Sequence, residues 1–200
     1  MALAGLVSAG AAAAENAVIL ALGDSLTAGY GLAKEESFPA QLEASLRAQG
    51  HQVRVINGGV SGDTTAGGLA RMDWLMVEKP DLIIVELGAN DALRAIDPAQ
   101  TLANLDRIVE KSKAEGARVL LAGMLAPPNL GREYADQFNA IYPTLAAKHG
   151  VPLYPFFLDG VAADPQLNQP DGMHPTAEGI SVIVQRITPH VTQALNEPAP

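Results

Sequence analysis

The stretch AVILALGDSLTAGYG, residues 17–31, runs from an apolar segment into a glycine-rich turn that carries a serine. Its apolar part, residues 17–22, has the length and side-chain bulk of a buried β-strand, and Gly23 and Asp24 end it. A serine placed directly after such a strand lies at the start of the next helix, where free backbone N–H groups suit an attacking hydroxyl or a bound anion. Taken alone, GDS is more typical of a Ser or Asp helix cap, so a functional role for Ser25 depends on the rest of the chain.

The rest of the chain repeats this pattern of an apolar run followed by a helical segment. Four more runs have the length of strands: HQVRVIN (51–57), DLIIVELG (81–88), ARVLLAGM (117–124) and VPLYPFF (151–157). The alternation predicts an α/β fold with a parallel sheet, right-handed crossovers and helices on both faces. In such sheets ligands bind beyond the carboxyl ends of the strands, so the loops after the strands form the candidate site.

Between the runs lie segments in which apolar residues recur at helical spacing. The groups are Phe38, Leu42 and Leu46; Leu69, Trp74 and Met76; Leu102, Leu105, Ile108 and Val109; Phe138, Ile141, Tyr142 and Leu145; and Ile180, Ile183, Val184 and Ile187. The last of these helices is predicted to begin near Pro175, because proline favours the first helical position.

Composition limits the classes to which the chain can belong. With 200 residues, 48% of them apolar, it is predicted to form a single domain over residues 15–200. Acidic residues outnumber basic ones by 22 to 13, which argues against a nucleic-acid partner. The absence of cysteine excludes disulfides, a thiolate nucleophile and cysteine-ligated metals.

The first fourteen residues, MALAGLVSAGAAAA (1–14), are small and apolar, with Ala-x-Ala spacing just before Glu15. This pattern is typical of the end of a secretory signal peptide, although the usual basic segment is missing. We interpret residues 1–14 as the remnant of a signal peptide, the alternative being a disordered alanine-rich leader. The first interpretation predicts a periplasmic or secreted protein and the second a cytoplasmic one. No other apolar run approaches the ~20 residues of a membrane span, so stable membrane insertion is not expected.

Two of the loops carry candidate hydrogen-bond donors. NGGVSGDTT (57–65) follows the second strand, and its glycines, among them Gly62, let the backbone turn and expose N–H groups. ELGANDAL (86–93) places Asn90 and Asp91 at the end of the third strand, where an asparagine can cap a helix or point its amide into the crevice.

A third loop carries a candidate base. In PDGMHPTAEG (170–179), Asp171 and His174 lie three residues apart, so a short turn can hold one imidazole nitrogen on the carboxylate and leave the other to accept a proton. Such a base activates a serine hydroxyl, which is otherwise a poor nucleophile at neutral pH. The remaining histidines, His51, His149 and His190, have contexts suited to surface or capping roles. Two ligands without a third do not make a metal site, and no metal or cofactor is expected.

Taken together, GDSLTAGYG, SGDTT, GAND and DGMHP resemble the four sequence blocks of the GDSL family of SGNH hydrolases. The closest likeness is to the bacterial thioesterase I, lysophospholipase L1 and arylesterase group. The similarity runs from about Val18 to His190 and includes VELGAND, GREY, F-x-AIYP and VPL-x-PFF.

The resemblance implies a role for each candidate residue. Ser25 would be the nucleophile, with Asp171 and His174 completing the triad, and the Ser25 N–H, Gly62 and Asn90 would form the oxyanion hole. It also implies a three-layer α/β/α sandwich with a five-stranded parallel sheet in the order 2-1-3-4-5. Gly58 and Gly59 stand where relatives often carry Asn-Ala or similar small residues, and Gly62 is chosen as the donor because it lies in SGDT.

The expected substrates are small esters: aryl esters, short to medium acyl esters, acyl thioesters and lysophospholipids. The loop MLAPPNLGREY (124–134), with Leu26, Phe157 and Met173, is a candidate acyl or aryl groove, although these residues can equally belong to the core. A carbohydrate acetyl-esterase on the same scaffold and a non-enzymatic phosphate-binding, flavodoxin-like module stay as alternatives. A monomer or weak homodimer is expected.

Overall fold

Five parallel strands form the centre of the molecule in a computed structural model that describes residues 16–199. The leader, residues 1–14, lies outside the described residues. The strands are β1 (Ala17–Gly23), β2 (Val53–Gly59), β3 (Leu82–Glu86), β4 (Arg118–Ala122) and β5 (Leu153–Tyr154). Their order is β2-β1-β3-β4-β5, and every adjacent pair is parallel. The predicted fold class and strand order are confirmed.

Helices cover both faces of this sheet. They are α1 (Ser25–Ala28), α2 (Phe38–Ala48), α3 (Thr65–Ala70), α4 (Met72–Met76), α5 (Ala89–Leu93), α6 (Pro98–Ala114), α7 (Arg132–Asn139), α8 (Ile141–His149) and α9 (Ala177–Asn196). Short 3-10 turns lie at Lys34–Glu36 and Pro128–Leu130. Helices α2 and α9 pack together on one face, and α3, α6 and α8 pack on the other. Among residues 16–199, no helix is long and apolar enough to cross a membrane.

The central strand explains why the sheet has two covered faces. Every residue of β3, Leu82–Glu86, is buried, so side chains that point to either face meet a layer of helices. Burying one leucine, isoleucine or valine side chain stabilises the fold by about 1.5–3 kcal/mol. If polar and apolar residues alternated along β3, the side chains on one face would not contribute this free energy.

The helix boundaries differ from the sequence prediction in two places. The segment with Leu69, Trp74 and Met76 is divided at Arg71 into α3 and α4. Leu69 and Met76 are partly buried and pack against the core, whereas Trp74 does not. The Trp74 side chain is 76% exposed rather than in the core. The segment from Phe138 to Leu145 is likewise divided at Ala140, although Phe138, Ile141, Tyr142 and Leu145 are all buried.

Strand β5 and the start of helix α9 can also be compared with the sequence prediction. Strand β5 is confined to Leu153–Tyr154, shorter than the predicted run. Helix α9 begins at Ala177, two residues after Pro175, and the Thr176 side chain caps it by accepting a hydrogen bond from the Gly179 N–H at 3.2 Å.

A buried tyrosine, Tyr142, contacts the backbone of the connection from β3 to α5. The Tyr142 hydroxyl donates a hydrogen bond to the Leu87 carbonyl at 2.8 Å. A side chain at Gly88 would collide with that hydroxyl, and Gly88 has φ of 121°, a conformation that favours glycine. This contact lies just before helix α5, which carries Asn90.

Tyr142→Phe should destabilise the fold because the Leu87 carbonyl would be left buried without its hydroxyl donor. We expect the free energy of unfolding to fall by about 1–3 kcal/mol, measured by urea denaturation. Tyr134→Phe is the matched control, since its hydroxyl donates to the Ile96 carbonyl at 2.8 Å in a partly exposed position and should cost less. Equal stability of Tyr142→Phe and the parent would contradict this account.

Candidate active site

The candidate nucleophile is the first residue of a one-turn helix. Asp24 caps α1 by accepting a hydrogen bond from the Leu26 N–H at 3.0 Å, and Gly29 ends the helix in a left-handed conformation. Ser25 therefore stands where β1 ends and the backbone reverses, at the carboxyl edge of the sheet.

The structure brings His174 and Asp171 to this serine. His174 Nε2 lies 3.0 Å from Ser25 Oγ, and His174 Nδ1 lies 2.7 Å from Asp171 Oδ2. An ionised carboxylate can only accept, so the Nδ1 atom carries the hydrogen and Nε2 is left to accept from the serine hydroxyl. A serine hydrogen-bonded to an imidazole that is in turn hydrogen-bonded to a carboxylate is typical of serine hydrolases.

The turn itself keeps Asp171 ionised. Its Oδ1 atom accepts the backbone N–H groups of His174 at 3.0 Å and Met173 at 2.9 Å. These two N–H groups and the His174 side chain lower the pKa of Asp171 to about 2. The carboxylate thus holds the imidazole in one orientation across the neutral pH range.

A cavity of about 510 Å³ opens beside this group. Ser25, His174, Gly62 and Asn90 all line it, so the four loops singled out in the sequence meet at one place. Its remaining wall is largely apolar and includes Leu26, Leu93, Met124, Leu125, Phe156 and Met173. The predicted role of Phe157 in this groove is wrong: Phe157 is fully buried and packs edge-on against Phe38, with ring centroids 5.0 Å apart.

Asn90 is aimed by Asp24. The Asn90 Nδ2 atom donates a hydrogen bond to Asp24 Oδ2 at 2.9 Å, which uses one of its two hydrogens, and no residue among 16–199 accepts the second. Asp24 thereby serves two parts of the site, because its other oxygen caps the helix of Ser25. The sequence singled out Asn90 but not this partner.

The loop of Gly62 is fixed by two arginines. Arg94 Nη2 donates to the Gly62 carbonyl at 2.8 Å. Arg71 Nε donates to Asp63 Oδ2 at 2.7 Å, and its Nη2 atom donates to the Gly23 carbonyl at 3.0 Å. Arg71 therefore ties the loop after β2 to the end of β1, just before the serine.

Two buried carboxyl groups lie behind the serine. Glu86 Oε2 accepts from Thr27 Oγ1 at 2.7 Å and is 3.4 Å from the Asp24 N–H. Burial raises the pKa of Asp24 to about 6, and burial together with the charge of Asp24 raises the pKa of Glu86 well above its usual range. A charged residue closing an apolar strand, as Glu86 does in IIVELG, is the sequence signal for this pair.

The other histidines do not line the cavity. His149 Nε2 lies 2.6 Å from Asp106 Oδ1, and these two residues with Glu110 form a group that could hold a metal ion. The Lys148 ammonium, 2.6 Å from Asp106 Oδ2 and 3.6 Å from Glu110 Oε1, already supplies a positive charge to both carboxylates. An ion-pair network accounts for this group.

Comparisons with known proteins assign the family. Residues 21–181 match the GDSL-like lipase/acylhydrolase family, and the chain belongs to this family. It is 42% identical over 190 residues to an arylesterase of Vibrio mimicus, with 94% of each chain covered. It is 43% identical over 169 residues to thioesterase 1/protease 1/lysophospholipase L1 of Escherichia coli strain K12, covering 84% of this chain and 79% of that relative.

A solved structure supports the same assignment. The SGNH-hydrolase family esterase AlinE4 is 50% identical and aligns with a TM-score of 0.77, covering 93% of this chain and 100% of AlinE4. The predicted family is confirmed, and the chain is a hydrolase of the ester-cleaving class.

Asp24→Asn should change how stability depends on pH. The pKa of Asp24 is about 6 in the folded chain and near 3.8 without burial, so folding binds its proton more tightly. The resulting stabilisation is present below about pH 4 and is lost as the pH rises through about 6. It amounts to at most about 3 kcal/mol.

The measurement is urea unfolding of parent and variant between about pH 4 and pH 8. The stability of Asp24→Asn relative to the parent should increase over this range, because only the parent must ionise the buried carboxyl group of Asp24. If the difference in unfolding free energy between Asp24→Asn and the parent did not change with pH, the raised pKa of Asp24 would be contradicted.

Proposed function

We propose that the chain hydrolyses carboxylic esters by two-step acyl transfer, with Ser25 as nucleophile, His174 as general base and acid, and Asp171 as the residue that orients the imidazole. The observation that carries the proposal is the continuous hydrogen-bonded path from Ser25 Oγ through the imidazole to Asp171, at 3.0 and 2.7 Å. An unassisted hydroxyl would be a poor nucleophile, and this path supplies the base.

In the first step, Ser25 Oγ attacks the ester carbonyl carbon while His174 Nε2 takes the hydroxyl proton. The C=O π electrons move to the oxygen and give a tetrahedral intermediate. When the C–O bond to the leaving group breaks, His174 returns the proton to the departing alcohol, and the acyl group stays on Ser25. Asp171 stabilises the imidazolium that exists between these two transfers.

In the second step, water takes the place of the alcohol. His174 Nε2 accepts a proton from the attacking water, and the new tetrahedral intermediate collapses to a carboxylic acid as the proton returns to Ser25 Oγ. The reaction needs no redox partner, and the His174 imidazole alone accepts and returns the proton in each step.

The oxyanion of both intermediates would be bound by the Ser25 and Gly62 N–H groups and by the Asn90 amide. The free Nδ2 hydrogen of Asn90 and the shared cavity wall support this role. Donors held in place before the reaction stabilise developing charge without reorganisation at the moment of attack.

The substrates we propose are aryl esters and short to medium acyl esters, with acyl thioesters and lysophospholipids as further candidates. The apolar wall of the cavity and the activities named for the two relatives support this choice over acetylated sugars. We also propose a periplasmic or secreted location, on the signal-like composition of residues 1–14.

Ser25→Ala should abolish hydrolysis of p-nitrophenyl acetate, lowering kcat by about 10⁴-fold or more with an unchanged circular dichroism spectrum. A fluorophosphonate probe should label the parent at Ser25 and leave the variant unlabelled. Ser181→Ala, on the exposed side of α9, is the matched control and should keep both properties. Substantial turnover by Ser25→Ala would end the proposal.

Asn90→Ala should remove one oxyanion donor and lower kcat by about 100-fold, with a much smaller change in KM. Steady-state kinetics on p-nitrophenyl esters measures the two constants separately. Asn196→Ala, at the exposed end of α9, is the control. If KM alone rises, Asn90 binds substrate and does not stabilise the oxyanion.

A further inference from the structure

The serine and the histidine come from loops 149 residues apart, so their separation depends on what joins those loops. The side chain of Gln169 lies between them. Its Nε2 atom donates one hydrogen bond to the Tyr30 carbonyl at 2.7 Å and another to the Pro175 carbonyl at 2.9 Å. Both amide hydrogens are therefore used, one on each loop.

On the histidine side, Gln169 also braces the turn with its backbone. The Gln169 N–H donates to the His174 carbonyl at 2.7 Å, and the Gly172 N–H donates to the Gln169 carbonyl at 2.9 Å. Together with the bond to Pro175, these contacts enclose the turn that carries Asp171 and His174.

On the serine side, Gln169 donates to the carbonyl of Tyr30, and Tyr30 is itself hydrogen-bonded to the backbone of Ser25. The Tyr30 N–H donates to the Ser25 carbonyl at 3.1 Å. The Tyr30 ring lies against the His174 ring, with centroids 4.5 Å apart. Gly31 leaves the room for this approach, because a side chain there would collide with Gln169 Oε1.

We propose that Gln169 is a positioning residue that sets the distance between Ser25 Oγ and His174 Nε2. The inference rests on the proposed function, in which that distance governs proton transfer. Both partners of the Gln169 amide are carbonyl oxygens, so the role requires a donor with two hydrogens. A carboxylate of the same shape has none and would face both oxygens with negative charge.

The test compares Gln169→Glu with Gln166→Glu. Gln166 is exposed on the same segment, so its change adds the same charge and leaves the Gln169 contacts in place. For each protein, kcat and KM on p-nitrophenyl acetate are normalised to active sites titrated with a fluorophosphonate, and the rate of labelling at Ser25 and the thermal midpoint are recorded.

We expect Gln169→Glu to lower kcat by about 10- to 100-fold, because a displacement near 1 Å is enough for losses of this size, with KM within about 2-fold. Labelling of Ser25 should slow by a similar factor, and Gln166→Glu should match the parent. If Gln169→Glu does not fold, Gln169→Ala is judged by the same division between kcat and KM.

Two results would overturn the inference: a normalised kcat for Gln169→Glu equal to that of the parent, or an equal loss in Gln166→Glu. The first of these results, if the thermal midpoint is also lower, would show that Gln169 has a structural role only. These results differ from failure of the proposed function, in which the parent itself neither hydrolyses the ester nor reacts at Ser25.

Discussion

Parallel pairing of β2, β1 and β3 is the constraint on which the site depends. Because these three strands run in the same direction, their carboxyl ends and the loops of Gly62, Ser25 and Asn90 meet at one edge. The register places Gly23 opposite Gly59 and Glu86, so the last residues of the three strands lie side by side. Sequence distance between the loops is then irrelevant to their distance in space.

The carboxyl groups of the site fall into two environments with opposite consequences. Asp171 is near solvent and accepts two backbone N–H groups, which lower its pKa and keep it charged for the imidazole. Asp24 and Glu86 are buried behind the serine, and burial raises the pKa of both. In the proposed reaction, the first environment would stabilise the charge that develops on His174. The second holds the turn of Ser25 and the amide of Asn90 in place at a cost in folding stability.

The sequence predicted the parts of this arrangement that depend on local pattern. Apolar runs such as residues 81–88 mark buried strands, and the position of Ser25 at the end of one marks the functional edge. The short turn between Asp171 and His174 could be inferred from spacing alone. Trp74 and Phe157 could not be placed, because helical breaks and neighbouring packing partners decide whether an aromatic side chain faces the core, the solvent or a cavity.

Contacts between distant residues were also beyond the sequence. Nothing in the local pattern pairs Asp24 with Asn90, or Arg71 with the Gly23 carbonyl, since these contacts arise only when the loops are assembled. Such contacts are made here by polar residues that lie outside the recognised motifs or beside the catalytic candidates. Gln169 is such a case, because it precedes the Asp171 turn and contacts a carbonyl 139 residues away.

The most direct test of the central claim, that these loops form one acyl-transfer site, is a crystal structure of the phosphonate-inactivated protein. The account predicts a bond between phosphorus and Ser25 Oγ, with the phosphonyl oxygen about 3 Å from the Gly62 nitrogen and Asn90 Nδ2. Phosphorus on another residue, or an oxygen directed away from both donors, would contradict it.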